Sequence, residues 1–288
     1  MFWSSLPVLG RWGFDCQVHC WGHPHMLAEA RLLYRRDSSV GQHRYPLNGE
    51  CVSGGYYGDL HHDFVMSFNT STLSKVNVAT TITCTRPASS AGKKGLAVVV
   101  ADTSSNTITM PGWTKDDQTS ITGPDGQSIA FFVLDNMTGS DPMVVNTTAA
   151  QDITVIIGTW GTRATGTPTW AVTPPNTTSN SSPIAISLTG VTANAGDDIA
   201  AFVCLDSGID TTTWSLTAFP GGYSLQNNFP SPNTWCPIAL ITRDNMSSGA
   251  TGSLSCTATA TGGTGGWSGY VVAMGSAVAN NQLAWIIA

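Results

Sequence analysis

The sequence predicts an all-β protein: two tandem jelly-roll or Ig-like β-sandwich units of about 90–100 residues each, after an irregular N-terminal segment. Three observations predict this class. Charged residues make up 10% of the chain and hydrophobic residues 41%, so that surface polarity falls to Thr, Ser, Asn and Gly, which suits pleated strands. Short apolar runs alternate with turns that contain Gly or Pro. A series of landmarks also occurs twice in the same order.

Residues 1–65 form the irregular N-terminal segment. All six histidines and both glutamates of the chain lie in it, and it contains no Thr, Ile or Lys. We considered two interpretations: a separate module of different origin, and upstream nucleotide sequence read in frame, with Met66 as the true start. The second is favoured, and the segment is therefore excluded from the fold prediction.

Two features of this N-terminal segment are noted. Thiols and imidazoles are dense between Cys16 and His25, where Cys16, Cys20, His23 and His25 are weak candidates for a zinc site. Their spacing fits no standard zinc-finger pattern, so no metal or other cofactor is expected. The pattern Met26–Arg36 is amphipathic at helical period and predicts a short helix.

The internal repeat divides the rest of the chain. Its landmarks define a first sandwich unit at 66–164 and a second at 183–288, joined by a Pro-, Thr- and Ser-rich linker at 165–182. The chain closes on an apolar stretch, Leu283–Ala288, that is expected to add a strand or a contact surface. The aligned pairs are Ala91–Asp102 with Ala195–Asp206, Ile108–Trp113 with Leu216–Tyr223, Ala130–Met137 with Ala239–Met246, and Thr154–Gly158 with Tyr270–Gly275.

Each landmark has a structural interpretation. The continuous apolar runs Gly95–Ala101 and Ile199–Leu205 predict central strands that are buried on both faces. The Pro-Gly-aromatic sequences that end in Trp113 and Tyr223 predict sharp corners, with the aromatic ring closing the end of a core. The Asp-Asn-Met sequence after an apolar run marks a strand end.

These landmarks resemble a family of Thr- and Gly-rich β-sandwich proteins from tailed-bacteriophage structural gene clusters, associated with tails or capsids. The shared pattern is a Thr-rich first strand before Pro87-Ala88, the apolar strand Leu96–Ala101, the corner Pro111–Thr114, and strands at Phe131–Asp135 and Ile153–Gly158. The chain departs from the pattern at Tyr223, which replaces tryptophan, and at Lys93-Lys94, where an acidic turn is usual. The resemblance implies a virion component assembled in the host cytoplasm, and several such proteins are presumed to contact host-surface glycans.

Catalytic chemistry is not expected. Beyond Met66 there is no histidine and no glutamate, so Ser-His-Asp and Cys-His arrangements lack their imidazole. An Asp-based glycan hydrolase would need two opposed carboxylates, for which the repeated aspartates are candidates by position, with strand-end chemistry as the favoured interpretation. Calcium could bind carboxylates clustered in predicted loops. The repeated aspartates are Asp102, Asp206, Asp135 and Asp244; the two candidate calcium loops contain Asp116, Asp117 and Asp125 in one, and Asp206 and Asp210 in the other.

Contact residues and partners follow from the aromatic side chains and the charge. Trp160, Trp170, Trp235 and Trp267 lie in or beside predicted loops, where tryptophans stack on sugars, anchor interfaces or close a core. The net charge of −6 argues against a nucleic-acid partner. The apolar runs are too short for membrane insertion. Seven scattered cysteines do not form a disulfide framework. The expected partners are other virion proteins or further copies of the chain in a homo-oligomer. The alternative function is that of a carbohydrate-binding module or adhesin outside any virion.

Overall fold

The structure is a computed structural model. It describes residues 68–121, 126–161, 163–207, 213–229, 236–260 and 264–275, and the backbone of four short strands before them. Across this part of the chain every regular element is a strand, so the predicted all-β class is confirmed. No helix in the described residues is long and apolar enough to cross a membrane.

The N-terminal unit, Met1–Asp63, contains one antiparallel sheet of order β1–β2–β3–β4. The predicted helix over Met26–Arg36 is wrong, because Glu29–Arg36 is strand β3 and pairs with β2 on one side and β4 on the other. The pairing of β3 with strands on both sides overrides its local helical pattern. The strands are β1 Val8–Leu9, β2 Asp15–His19, β3 Glu29–Arg36 and β4 Ser39–Arg44.

The first inner sheet has the order β5–β10–β6–β9–β8, and β7 also pairs with β10. Register shifts between Asn146 and Ile153 divide the long strand β10. The part before the shifts pairs with β7, and the part after them pairs with β6. The strands are β5 Phe68–Thr83, β6 Lys94–Ala101, β7 Ile108–Thr109, β8 Thr114–Ile121, β9 Gln127–Leu134 and β10 Val144–Trp160.

The second inner sheet has the order β11–β20–β14–β17–β16, and a separate outer sheet has the order β12–β19–β15. A short pair, β13–β18, lies apart from both. The strands are β11 Thr169–Ser181, β12 Ile184–Leu188, β13 Thr192–Ala193, β14 Asp197–Ser207, β15 Trp214–Ala218, β16 Ser224–Asn227, β17 Ile238–Met246, β18 Gly249–Ala250, β19 Leu254–Ala260 and β20 Thr264–Met274.

Strands β6 and β14 lie at the centres of the inner sheets and are buried on both faces, as the apolar runs predict. Alternate residues of β6 enter two different cores: Leu96, Val98 and Val100 face the second inner sheet, and Ala97, Val99 and Ala101 face the opposite side. Strand β14 divides its side chains in the same way. Because successive side chains of a strand point to opposite faces, the part of each strand that lies between two cores is apolar, and polar residues such as Lys94 and Asp198 lie at the strand ends.

Three cores stack the sheets into layers. One core joins the two inner sheets face to face, through residues of β6, β9 and β10 and of β14, β17 and β20. A second core lies between the second inner sheet and the outer sheet. The third covers the remaining face of the first inner sheet and includes Ile82, Ile108 and Val145. Apolar burial on both sides of each inner sheet is the main stabilising contribution to this arrangement.

The two predicted corners have the same backbone conformation. Gly112 and Gly222 have φ angles of +82° and +85°, in the left-handed region that favours glycine. We call the part that contains β5–β10 the first half of the molecule and the part that contains β11–β20 the second half. The aromatic residues that follow the two glycines, Trp113 and Tyr223, are both 8% exposed, and each belongs to a core of its own half. The prediction that each corner places its aromatic ring in a core is confirmed, while its role in closing the end of that core stays a prediction.

The two inner sheets also share their strand order. In each, the first strand lies at one edge and is followed by the last, the second, the fourth and the third. They do not form separate units, however, because residues 64–288 make one compact unit. The duplication itself stays a prediction. The interval 165–182, predicted as a linker, contains β11, which pairs with β20 and so belongs to the second inner sheet.

Candidate functional site

The tryptophans predicted as contact residues lie in different environments. Trp160 is fully buried in the core between the inner sheets, edge-on to Phe68 at a ring-centroid distance of 5.3 Å. Trp267 is 7% exposed in the core under the outer sheet. Neither ring is accessible to a sugar in this structure. Trp170 is half-buried against Tyr270, and Trp235 lies outside the described residues.

The weak zinc candidates belong to the N-terminal unit. The backbone of Cys16 lies in β2, and Cys20, His23 and His25 lie outside the described residues. Elsewhere in the described chain, no three His, Cys, Asp or Glu residues are grouped so that they could hold a metal ion.

The repeated aspartates have structural partners. Asp135 Oδ2 accepts the backbone N–H of Gly166 at 2.6 Å, and Asp244 Oδ1 accepts that of Phe68 at 3.0 Å. Asp206 is 4% exposed and lies 3.5 Å from Gln127 Nε2. Strand-end carboxylates that fix nearby backbone are consistent with the interpretation favoured from sequence.

The residues proposed for a calcium loop are arranged differently. Asp116 and Asp117 belong to strand β8 and not to a loop, and Asp125 and Asp210 lie outside the described residues. Asp117 accepts a hydrogen bond from the Tyr270 hydroxyl at 2.8 Å, which joins the two inner sheets. Burial of Tyr270 raises the pKa of its hydroxyl, and the neighbouring Asp117 charge raises it further.

A polar groove of about 380 Å³ opens beside these residues. It is formed by β8, the end of β9 and the segment before β11. Asp116 lines the groove, and its Oδ2 is buried and has no hydrogen-bond partner among the described residues. Burial raises the pKa of Asp116, as does the charge of Asp135, while the Thr167 hydroxyl and Lys94 act in the opposite direction. Its lining residues are Thr114, Asp116, Val133, Leu134, Asp135, Asn136, Gly166 and Thr167.

Lys94 lies behind the polar groove and is buried, with its side chain 2% exposed. Its ammonium donates to Asp135 Oδ1 at 2.5 Å, to the Ala164 carbonyl at 2.9 Å and to the Gly166 carbonyl at 2.6 Å. The sequence drew attention to Lys94 only as a departure from the usual acidic turn. Its burial could not be foreseen, because the groups around it come from distant parts of the chain.

A second depression, the outer-sheet groove, has a volume of about 610 Å³ and lies on the outer sheet. Its lining contains no charged side chain. Half-buried Phe219 packs against the underlying core, and burial raises the pKa of the Cys256 thiol to about 11, which keeps it neutral. Serine and threonine hydroxyls supply the polar contacts. Its lining residues are Ala185, Ile186, Ser187, Ala218, Phe219, Pro220, Ser253, Ser255, Cys256 and Thr257.

The outer-sheet groove combines an aromatic surface with hydroxyl groups in an uncharged setting, which suits a glycan or a protein partner. The sequence of this corner predicts a core role for Tyr223 and no role for Phe219. In the structure Phe219 is half-buried and lines the groove. Comparisons with protein-family models, with curated proteins and with solved structures found no match to this chain.

Proposed function

We propose that this protein is a structural component of a tailed-phage particle and that it works through surface contact. The observation that carries the proposal is the uncharged outer-sheet groove, where Phe219 and four hydroxyl-bearing residues lie on a sheet supported by a packed core. The resemblance of the sequence landmarks to phage structural proteins supports the virion setting. In this account the layered strands provide a rigid support, and the groove receives another virion protein or a further copy of the chain.

Rigidity favours this role over one that requires movement. The inner sheets are buried on both faces. Because tightly packed interiors have low compressibility, these sheets form a stiff support. A contact surface on such a support loses little conformational entropy when its partner binds. Two of the repeated aspartates that could have served a hydrolase, Asp135 and Asp244, instead accept backbone N–H groups.

The proposal is tested by placing a charge in the outer-sheet groove. Ser255 is exposed on β19, and Ser255→Arg puts a long cation among uncharged side chains. We expect incorporation into particles to fall by about tenfold or more, because an unpaired charge at a contact costs well over 1 kcal/mol. The matched control is Thr109→Arg, an exposed threonine of β7 in the other half of the molecule. Equal incorporation of both variants and the wild type would contradict a contact role for this groove.

Glycan binding is a second candidate function. Phe219 at the rim favours it, because sugar rings stack on aromatic faces while their hydroxyls bond to side chains such as Ser187. The same two arginine variants distinguish the candidates when they are tested on immobilised host glycans. Loss of glycan binding by Ser255→Arg with normal particle incorporation would assign the groove to adhesion.

A further inference from the structure

Lys94 and Asp135 are held against each other by the sheet. They extend adjacent antiparallel strands: Gly95 of β6 is opposite Leu134 of β9, and the two charged residues are the next pair along. The Lys94 Nζ lies 2.5 Å from Asp135 Oδ1. The Ala164 and Gly166 carbonyls also fix the nitrogen, and the Gly166 N–H fixes the second carboxylate oxygen. Both reacting groups are therefore immobilised at contact distance.

A third group, Asp116, lies in the same polar groove. It interacts electrostatically with both Lys94 and Asp135, and its Oδ2 is buried without a partner among the described residues. Burial raises the pKa of this carboxyl, which favours its protonated form. A protonated carboxyl in the same groove as an ammonium and a second carboxylate can give a proton to the carboxylate and take one from the ammonium.

We propose that Lys94 and Asp135 form an intramolecular amide bond after the chain folds, with Asp116 as the proton relay. The ammonium first gives up a proton, and the neutral amine attacks Cγ of Asp135. An N–C bond forms and a C–O bond breaks. The departing oxygen takes the protons released from nitrogen and leaves as water through the polar groove. An ammonium and a carboxylate thus become an amide and one water molecule, without an oxidant or a reductant.

Proximity is the main reason to expect this reaction at this pair. Holding two groups in reactive geometry replaces a large part of the entropic barrier of a bimolecular step. The Lys94 side chain is 2% exposed and that of Asp135 is 35% exposed, so the amine is shielded from water while the carboxyl opens to the polar groove. Among the described lysines only Lys94 is buried.

The second half of the molecule offers a contrast. At the matching position of β14 it has Asp198, whose buried partner is Arg163. A guanidinium stays protonated and cannot act as a nucleophile. The reaction is therefore specific to the Lys94 pair.

The test is mass spectrometry of the purified full chain under denaturing conditions. We expect a mass lower than that of the sequence by one water molecule. After trypsin digestion, the peptide Lys94–Lys115 should be joined to the peptide Asp116–Arg163. Lys94→Arg and Asp135→Ala should both show the full mass, whereas the matched control Asp244→Ala should keep the loss of water.

Asp116→Asn tests the relay. We expect bond formation at least tenfold slower after refolding, while the circular dichroism spectrum stays that of the wild type. An unchanged rate would overturn the role of Asp116. Wild-type protein with the full sequence mass and two separate peptides would overturn the bond itself, and this reading does not depend on whether any variant folds. Neither outcome depends on the protein's place in a particle.

Discussion

Asp135 and Asp244 tie the two halves of the molecule together at the level of single residues. Asp135 follows β9 and accepts the N–H of Gly166, which precedes the first strand of the second half. Asp244 lies in β17 and accepts the N–H of Phe68, the first residue of β5. Each carboxylate thus fixes the start of the other half's first strand.

The sequence predicts that such aspartates form hydrogen bonds at strand ends, but it does not predict which backbone groups they bind. Their position at the end of an apolar run indicates strand-end chemistry. The partner of Asp244 lies 176 residues away along the chain, and no local pattern encodes a contact of that range. The same holds for Lys94, whose acceptors at Ala164 and Gly166 come from the segment between the two halves.

The buried pair of Arg163 and Asp198 gives a residue-scale prediction. Burial raises the pKa of Asp198 to about 6, against the opposing effects of the Asn245 N–H and Arg163. In Arg163→Met the carboxylate loses its counter-ion, so we expect unfolding at pH 7.5 to need about 3–5 kcal/mol less free energy. The loss should shrink below pH 6, where Asp198 takes up a proton. Urea unfolding of the wild type and of Arg163→Met, at pH 7.5 and below pH 6, measures the loss in the free energy of unfolding.

The control for this prediction is Arg86→Met. Arg86 is partly exposed and lies 3.7 Å from Asp141, and such surface pairs contribute about 0.2–1 kcal/mol. In the wild type, the raised pKa also means that the contribution of Asp198 to stability is complete below its ordinary value of 3.8 and is lost as the pH rises through about 6. Equal losses for Arg163→Met at both pH values would contradict this assignment.

At the scale of elements, composition predicts the central strands well and the edge strands poorly. The runs Gly95–Ala101 and Ile199–Leu205 are apolar because both of their faces are buried. Strand β11 at the edge of its sheet is rich in Thr and contains Pro174 and Pro175. Such a strand resembles a linker in sequence, because only one edge of it is paired and proline is tolerated there.

The last aligned pair of the repeat, Thr154–Gly158 with Tyr270–Gly275, shows that sequence alone does not determine which residues of two strands correspond. Sequence comparison aligns Thr154 with Tyr270, whereas the strand pairing places Ile156 opposite Val98 and Tyr270 opposite Phe202. Ile156 therefore takes the place of Tyr270 in the first inner sheet. Two apolar β-strands can be aligned in several registers with similar scores, and only their hydrogen-bonded neighbours fix the correct one.

Phe202 gives the element-scale prediction. It is fully buried on β14, in the core between the inner sheets. We expect Phe202→Ala to lower the free energy of unfolding by about 3–5 kcal/mol, because the cavity cannot close between two packed sheets. Val78→Ala is the control, since Val78 is 74% exposed and its removal leaves no cavity. Chemical denaturation measures both, and a loss at Phe202 no larger than at Val78 would mean that the inner sheets are not packed as described.

At the scale of the whole molecule, the sequence predicts the all-β class but not how the sheets pack. It predicts separate sandwiches joined by a linker, and the structure has one compact unit over 64–288. The pattern of apolar residues states that β6 and β14 are covered on both faces. The pattern does not predict that each inner sheet is covered by the other, because any apolar layer against the sheet would produce the same pattern.

The same packing determines which surfaces remain for partners. Within the described part of residues 64–288 both inner sheets are covered, which leaves the outer sheet, the strand edges and the loops as surfaces for a partner. The outer-sheet groove is uncharged in a chain of which only 10% of residues are charged. Contact through hydroxyl and aromatic groups is consistent with this composition, and the proposed virion role rests on that contact together with the sequence resemblance.

The most direct measurement of this account is peptide mass spectrometry of density-gradient-purified particles from the source of the sequence. We predict that the tryptic peptide Val76–Lys93 sediments with the particles through the gradient and is enriched there over the soluble fraction. Particles that lack this peptide, while the soluble fraction contains it, would contradict a structural role in the virion.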